Sequence, residues 1–298
     1  MPDIVLAGVA VLDFIFEVEE MPRRPEKYRA KNASVSGGGN AANAAVAISR
    51  LGGNARLVAR LGDDPVADLI ETGLQDEGVQ TDLIRRFAGK RSSFSSIYID
   101  ANGERQIMNF RDNGISINAD WMPAILPPRF DAILADTRWP DGAVAAMKIA
   151  AERGKPGVLD VEAPAHEAIE AIKLASHPAF SAQGVIDFAG IENVPEATLH
   201  ASKILQQRIY VTDGANGTYT AENGVLTNHP AFDIHAVDTL GAGDIWHGAF
   251  TIGLAENMHD NEAIRFANAA AALKCTRRGG REGAPSRQEV ESFIKANS

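Results

Sequence analysis

Apolar and polar positions follow two rhythms along this chain, and they predict two kinds of structure. IVLAGVAVLDF (residues 4–14) is an almost unbroken apolar run closing on one acid, Asp13, and reads as a buried strand. Residues 16–35 are polar with strand-like alternation. SGGGNAANAAVAISRLGG (36–53) reads as a glycine turn, a small-residue helix and a helix-ending Gly pair. ARLVARLGDD (55–64) reads as a strand and turn, and VADLIETGLQDEGV (66–79) as an amphipathic helix. SSFSSIYIDANGERQIMNF (92–110) reads as two strands joined at Asp100-Ala101-Asn102-Gly103, a hairpin signal. With 16–35, these strands predict a small antiparallel sheet outside the main core.

From about residue 130 strands and helices alternate. DAILADTRWP is strand then loop, GAVAAMKIAAERGK helix, PGVLDVEAP strand then loop, and HEAIEAIKLAS helix. AFSAQGVIDFAG, ATLHASKILQQ, RIYVTDG and a GTYTAENG hairpin continue the series. This order predicts a mostly parallel sheet covered by helices. Ligands of such sheets sit at the carboxyl ends of the strands. Asp13, Asp136 to Arg138, Asp160 to Glu162, Asp213 and Asp238 all fall at predicted strand ends.

Composition narrows the classes. With 298 residues, 45% of them hydrophobic, the chain can build one large α/β domain. A formal net charge of -10 argues against a nucleic-acid surface. An anionic ligand would need local basic groups or helix N-termini. The single cysteine, Cys275, excludes an intrachain disulfide and suits a reducing, cytoplasmic setting. No apolar run is long enough to span a bilayer, and the opening residues lack a basic signal-peptide region. The expectation is a cytoplasmic protein with neither nucleic-acid nor membrane partners.

VDTLGAGDIWHGAF (237–250) carries the sharpest chemistry. Gly241, Ala242 and Gly243 stand where a loop becomes a helix, so their amides would point outward with the positive end of the helix dipole. Their small side chains leave room for a phosphate. Asp244 beside them could take a proton from a hydroxyl while the amides hold charge on a moving phosphoryl group. An aspartate there could equally serve only as a helix cap. A dinucleotide fingerprint is absent after the first strand, which disfavours an oxidoreductase.

VDTLGAGD, SGGGNAAN and the opening GVAVLDF together resemble the ribokinase, or PfkB, family of sugar and nucleoside kinases. The match runs nearly end to end. It implies one domain over residues 1–298, a three-layer α/β/α sandwich with a mostly parallel central sheet, and a small β-sheet lid at about 14–36 and 92–112. It implies Asp244 as catalytic base and Gly241, Ala242 and Gly243 as anion hole. Asp13, Asn40 and Asn43 would hold sugar hydroxyls, and Gly38 and Gly39 would hinge the lid; Asn40 could instead cap its helix.

Within the family, EKYRAKN (26–32), GERQIMNF (103–110), ILADTRWPDGA (133–143), WHGAF and AALKCTRRGGREG (271–283) are similar to the sulfofructose kinase branch. That resemblance implies Lys27, Asn109 and Arg138 as a sulfonate cup and transfer to the 1-hydroxyl of 6-deoxy-6-sulfofructose. The Asn40–Asn43 pair is instead ketohexokinase-like, so another ketose, a ribokinase-like substrate or a non-catalytic sugar sensor stays open. ATP would meet Thr212, Gly214 and Gly217, with adenine against Ala267 and Ala271. Mg²⁺ would bridge the phosphates mostly through water, with Glu162 and Asp160 orienting that water; the family's usual Asn-x-x-Glu is replaced by SAQG (181–184). Asp238 would shape a monovalent-cation site, for K⁺. Two lids would pair in a homodimer.

Overall fold

The computed structural model describes residues 1–102 and 104–297; Gly103, the last residue of the expected hairpin turn, lies outside them. Eight strands build the large sheet: β1 (Asp3–Ala7), β4 (Asn54–Val58), β9 (Ala132–Asp136), β10 (Gly157–Val161), β11 (His177–Ser181), β12 (Ile209–Thr212), β13 (Thr218–Glu222) and β14 (Val225–His229). Their order is β14-β13-β12-β11-β10-β9-β1-β4. All neighbours are parallel except the β12–β13 and β13–β14 pairs.

Helices cover both faces. α1 (Asn40–Arg50), α2 (Pro65–Gln75), α8 (Ala242–Ala255), α9 (Asp260–Cys275) and α10 (Arg287–Ala296) share one apolar core. α3 (Met122–Ile125), α4 (Pro140–Glu152), α5 (Ile169–Leu174), α6 (Ala182–Ala189) and α7 (Val194–Leu205) share the other. β1 shows why its sequence is apolar throughout: Ile4 and Leu6 enter the first core, Val5 and Ala7 the second. This is the helix-covered, mostly parallel sheet that the alternating pattern predicts, in the three-layer α/β/α sandwich that the family resemblance implies. No helix among the described residues is long and apolar enough to cross a membrane.

Four strands form a smaller sheet: β2 (Val11–Glu17), β3 (Asn32–Gly38), β7 (Phe94–Ile99) and β8 (Arg105–Phe110), in the order β3-β2-β7-β8. It is mixed rather than purely antiparallel, because β2 and β7 run parallel. A third, two-stranded sheet pairs β5 (Arg60–Gly62) with β6 (Arg85–Phe87).

Three readings of the sequence need correction. The apolar run 4–14 is two strands in different sheets, not one. Gly8 marks the break: a β-carbon there would lie 2.1 Å from Asp136 Oδ2. Asp13 therefore stands inside β2 rather than at a strand end. Asp238 follows no strand either, since residues 230–241 are irregular. Hydrophobicity reports burial, and a strand can change sheets without changing its burial.

The alanines of α1 let it approach α8 closely. Ala41, Ala42, Ala44, Ala45 and Ala47 are all buried, and a β-carbon on Gly248 would lie only 2.7 Å from the Ala44 carbonyl oxygen. Helix propensity alone would make Gly248→Ala stabilising by about 0.8–1 kcal/mol. The close approach reverses the sign: we expect a loss of about 1–3 kcal/mol, read as a lowered urea midpoint. A raised midpoint would show that the helices have room to part.

Candidate active site

Helix α8 begins on Gly241, which adopts a left-handed conformation (φ 74°) that suits glycine. A β-carbon on Gly243 would meet nothing within 4 Å. Ala242 and Gly243 line a cavity of about 440 Å³ with Thr212, Gly214, Gly217 and Ala271. The start of a four-turn helix thus opens onto a space large enough for a nucleotide's phosphates. Gly217 (φ 88°) is obligatory in its turn, because a β-carbon would lie 2.2 Å from the His229 carbonyl oxygen. Trp246 backs the cavity; its indole N–H donates to Asn268 Oδ1 at 2.8 Å, where Thr218 Oγ1 also donates.

Ala267 does not reach this cavity. It is wholly buried in the core, while Asn268, Ala271, Ala272 and Cys275 line the space. Those four form one stripe of α9 at helical spacing, and residue 267 lies off it.

Asp244 sits in the first turn of α8, and Asn43 Nδ2 donates to its Oδ2 at 2.7 Å. Burial, and then the neighbouring Asp160, hold the Asp244 carboxyl well above the ordinary carboxylate range; the Asn43 hydrogen bond acts the other way. Asn40 Nδ2 donates to Asp160 Oδ2 at 3.0 Å, and His247 Nε2 lies 3.6 Å from Asp160 Oδ1. Burial raises the Asp160 carboxyl too, opposed mainly by His247. Each of the two α1 asparagines therefore holds one carboxylate. Asn43 is 8% exposed, and its Oδ1 has no hydrogen-bond partner, which leaves one buried acceptor beside Asp244.

A third carboxylate organises the other two. Asp136, at the end of β9, is 1% exposed. Its Oδ2 accepts from the Val9 amide (2.9 Å) and the Ala41 amide (3.1 Å), and its Oδ1 from the Arg138 amide (3.0 Å). Gly39, the residue before α1, provides no side chain to cap it, so Asp136 supplies that acceptor from a distant strand. Burial pushes Asp136 up to about 7 against the pull of those three amides.

The small sheet carries a polar row. Its register sets Ser36, Asp13, Ser95 and Asn109 side by side across β3, β2, β7 and β8. Asn109 Nδ2 donates to Ser95 Oγ at 3.2 Å. Asp13 is raised by burial, with a Ser95 hydrogen bond opposing. A β-carbon on Gly38 would lie 2.7 Å from Asp13 Oδ2, and one on Gly39 (φ 99°) 2.4 Å from the Val9 carbonyl oxygen.

The three expected sulfonate ligands make no hydrogen bond to one another. Arg138 pairs with Glu162 (Nη2 to Oε2, 2.5 Å) and donates to the Ala163 carbonyl at 3.0 Å. Lys27 is exposed between β2 and β3 and has no hydrogen-bond or ion-pair partner among the described residues. Glu162 is thus engaged by Arg138. Among the described residues no group of three or more His, Cys, Asp or Glu could hold a metal ion unaided. Asp160 and Asp244 nevertheless fit a Mg²⁺ carried in by phosphates, since a nearby cation would relieve their mutual repulsion.

The fold and this cleft define a ribokinase-like α/β protein. Residues 1–287 match the pfkB family carbohydrate kinase description. The chain belongs to that family and is an ATP-dependent carbohydrate kinase. It is 27% identical to the ribokinase of Bacillus subtilis over 99% of this chain and 100% of that one. A provisionally assigned ribokinase from Agrobacterium tumefaciens is similar in structure at TM-score 0.90 and 35% identity, covering 99% of this chain and 98% of its own. A probable fructokinase from Arabidopsis thaliana is 27% identical over 87% of this chain and 88% of its own.

The pH dependence of the rate follows from these carboxylates. If Asp244 must be ionised, kcat/KM falls as pH drops through its raised pKa. Asn43→Leu removes a stabilising donor and should move that acid limb to higher pH. Asp160→Asn removes a like charge and should move it lower. Limbs that stay in place in both variants would detach the titration from Asp244.

Proposed function

We propose that this kinase phosphorylates a primary hydroxyl of a small sugar, with Asp244 as the base. The observation that carries the reading is the Asp244 carboxylate at an open helix start, held by Asn43, whose Oδ1 is buried and unpartnered. A sugar hydroxyl donating to that Oδ1 would place a neighbouring hydroxyl at Asp244. Asp244 takes the proton, the oxygen attacks the γ-phosphorus of ATP, and the bond to the ADP oxygen breaks. The amides of Gly241, Ala242 and Gly243 hold the charge on the transferring group. Mg²⁺, when bound with the nucleotide, neutralises phosphate charge beside Asp160. Thr212, Gly214 and Gly217 line the phosphate end of the nucleotide cavity, and Ala271 its wall.

The small sheet acts as a lid in this reading, brought down on the cleft about Gly38 and Gly39 to exclude water that would otherwise accept the phosphate. Asp13 offers two carboxylate oxygens to sugar hydroxyls, and its row brings Asn109 within the same shell. Val35 and Met108, on the opposite face of the sheet, are 56% and 72% exposed. That apolar exposure supports a homodimer through the lids.

Ribose and fructose are the substrates that the relatives' names suggest for comparison. The finer reading, 6-deoxy-6-sulfofructose to its 1-phosphate, rests on Asn109 in the sugar row and on Arg138, which is 42% exposed along its side chain. Arg138 would exchange Glu162 for the sulfonate, with Lys27 closing in from its exposed loop.

Asp244→Asn should leave ATP binding intact and lower kcat by roughly 10²-fold or more, measured by ADP release with ribose, fructose and 6-deoxy-6-sulfofructose. Near-normal turnover would remove Asp244 from the chemistry. Arg138→Ala should raise KM for the sulfonated ketose far more than for fructose; equal effects would discard the sulfonate reading.

A further inference from the structure

Lys274 is the most deeply buried cation among the described residues, at 0% exposure near the end of α9. Its Nζ donates to the Asp238 carbonyl oxygen at 2.7 Å and lies 3.8 Å from Asp238 Oδ2. A buried ammonium is expensive unless it meets an anion and carbonyl oxygens, and here one residue supplies both. The same carboxylate is further engaged: Oδ1 accepts from the Leu240 amide at 2.9 Å and Oδ2 from the Gly279 amide at 3.0 Å. The Val237 and Asp238 amides in turn donate to the Cys275 carbonyl at 2.7 and 3.1 Å. Lys274 thus ties the end of α9, and Asp238 the loop around Gly279, to the segment that runs, three residues later, into Gly241 and α8.

These residues do not fit the K⁺ that the sequence led us to expect at Asp238. The carbonyl and carboxylate that would coordinate such an ion already face a fixed ammonium of the same charge. A second cation there would meet Lys274 head on, with both Asp238 carboxylate oxygens already hydrogen-bonded.

We propose that Lys274 is a built-in monovalent cation: a positioning residue that holds the Asp238 turn under the anion hole and makes the kinase independent of K⁺. The ammonium arrives with folding, so the turn would be set in place without an ion from solution. The proposal rests on the reading in which Gly241 to Gly243 form the anion hole beside the base Asp244; Asp244→Asn tests the base of that reading separately.

Two measurements on the wild-type protein and on Lys274→Met decide it. The first is kcat and KM in tetramethylammonium, Na⁺, K⁺ and NH₄⁺ chloride at constant ionic strength. The second is anomalous diffraction from crystals soaked in thallous salt. Wild-type rates should agree across the four salts, and no thallium should appear beside Asp238. Lys274→Met should lose activity by roughly 10- to 100-fold in tetramethylammonium. K⁺ or NH₄⁺ should restore a large part of it, and thallium should occupy the space vacated at the Asp238 carbonyl. A lysine that served packing alone would give a loss that no monovalent ion repairs, and that result overturns the proposal. So does K⁺ activation of the wild-type enzyme, or thallium bound at Asp238 while Lys274 is present. These wild-type outcomes stand even if Lys274→Met fails to fold, because they need no variant. Thallium placement requires no turnover, so it separates failure of this proposal from failure of the kinase mechanism.

Discussion

The cleft depends on one buried carboxylate. Asp136 takes three backbone amides, from Val9, Ala41 and Arg138, at a point where three parts of the chain must meet. Val9 lies between β1 of the large sheet and β2 of the small one. Ala41 is in the first turn of α1, which otherwise has no side-chain cap. Arg138 lies in the loop beyond β9. A carboxylate in this position is costly to bury, and charge-assisted hydrogen bonds from backbone amides compensate that cost better than neutral ones. The bare approach of Gly8 follows from the same contact, since any side chain there would occupy the carboxylate's place.

Once α1 is set, the remaining geometry follows from its first turn. Asn40 and Asn43 are three residues apart and so lie on one face of the helix. They reach Asp160 on the sheet and Asp244 on α8, respectively. The alanines behind them allow α1 to lie against Gly248 of α8, which brings the second asparagine to its carboxylate. Burial raises all three acids of the cleft, Asp160 adds to the rise at Asp136 and Asp244, and the Asn40 and Asn43 amides moderate it at Asp160 and Asp244 respectively. An acidic protein can still attract an anion here, because the start of α8 presents positive potential beside Asp244.

Several parts of this arrangement could be read from the chain. The alternation of apolar strands and amphipathic helices after residue 130 specified a parallel sheet covered on both sides, because each element announces its own burial. Gly241, Ala242, Gly243 and Asp244 were readable because small residues at a helix start have few other uses. The stripe of α9 facing the cavity at the start of α8 was readable in composition but not in phase: Ala267 and Ala271 look alike in sequence, and only the packing of α9 turns one inward and the other toward the cavity. His247, Trp246 and Asn268 gave no signal as site residues, since an apolar helix with one histidine looks like core.

By itself, the sequence determined the class of fold, the small-residue helix start and the acid beside it, because these are local consequences of side-chain size, periodicity and backbone freedom. Tertiary structure decided which distant groups became partners. It split the first apolar run between two sheets, made Asp136 the cap of a helix nearly a hundred residues earlier, paired Arg138 with Glu162, and put a lysine where an ion was expected. Those outcomes depend on distances between segments far apart in the chain, and no local pattern encodes a distance of that kind.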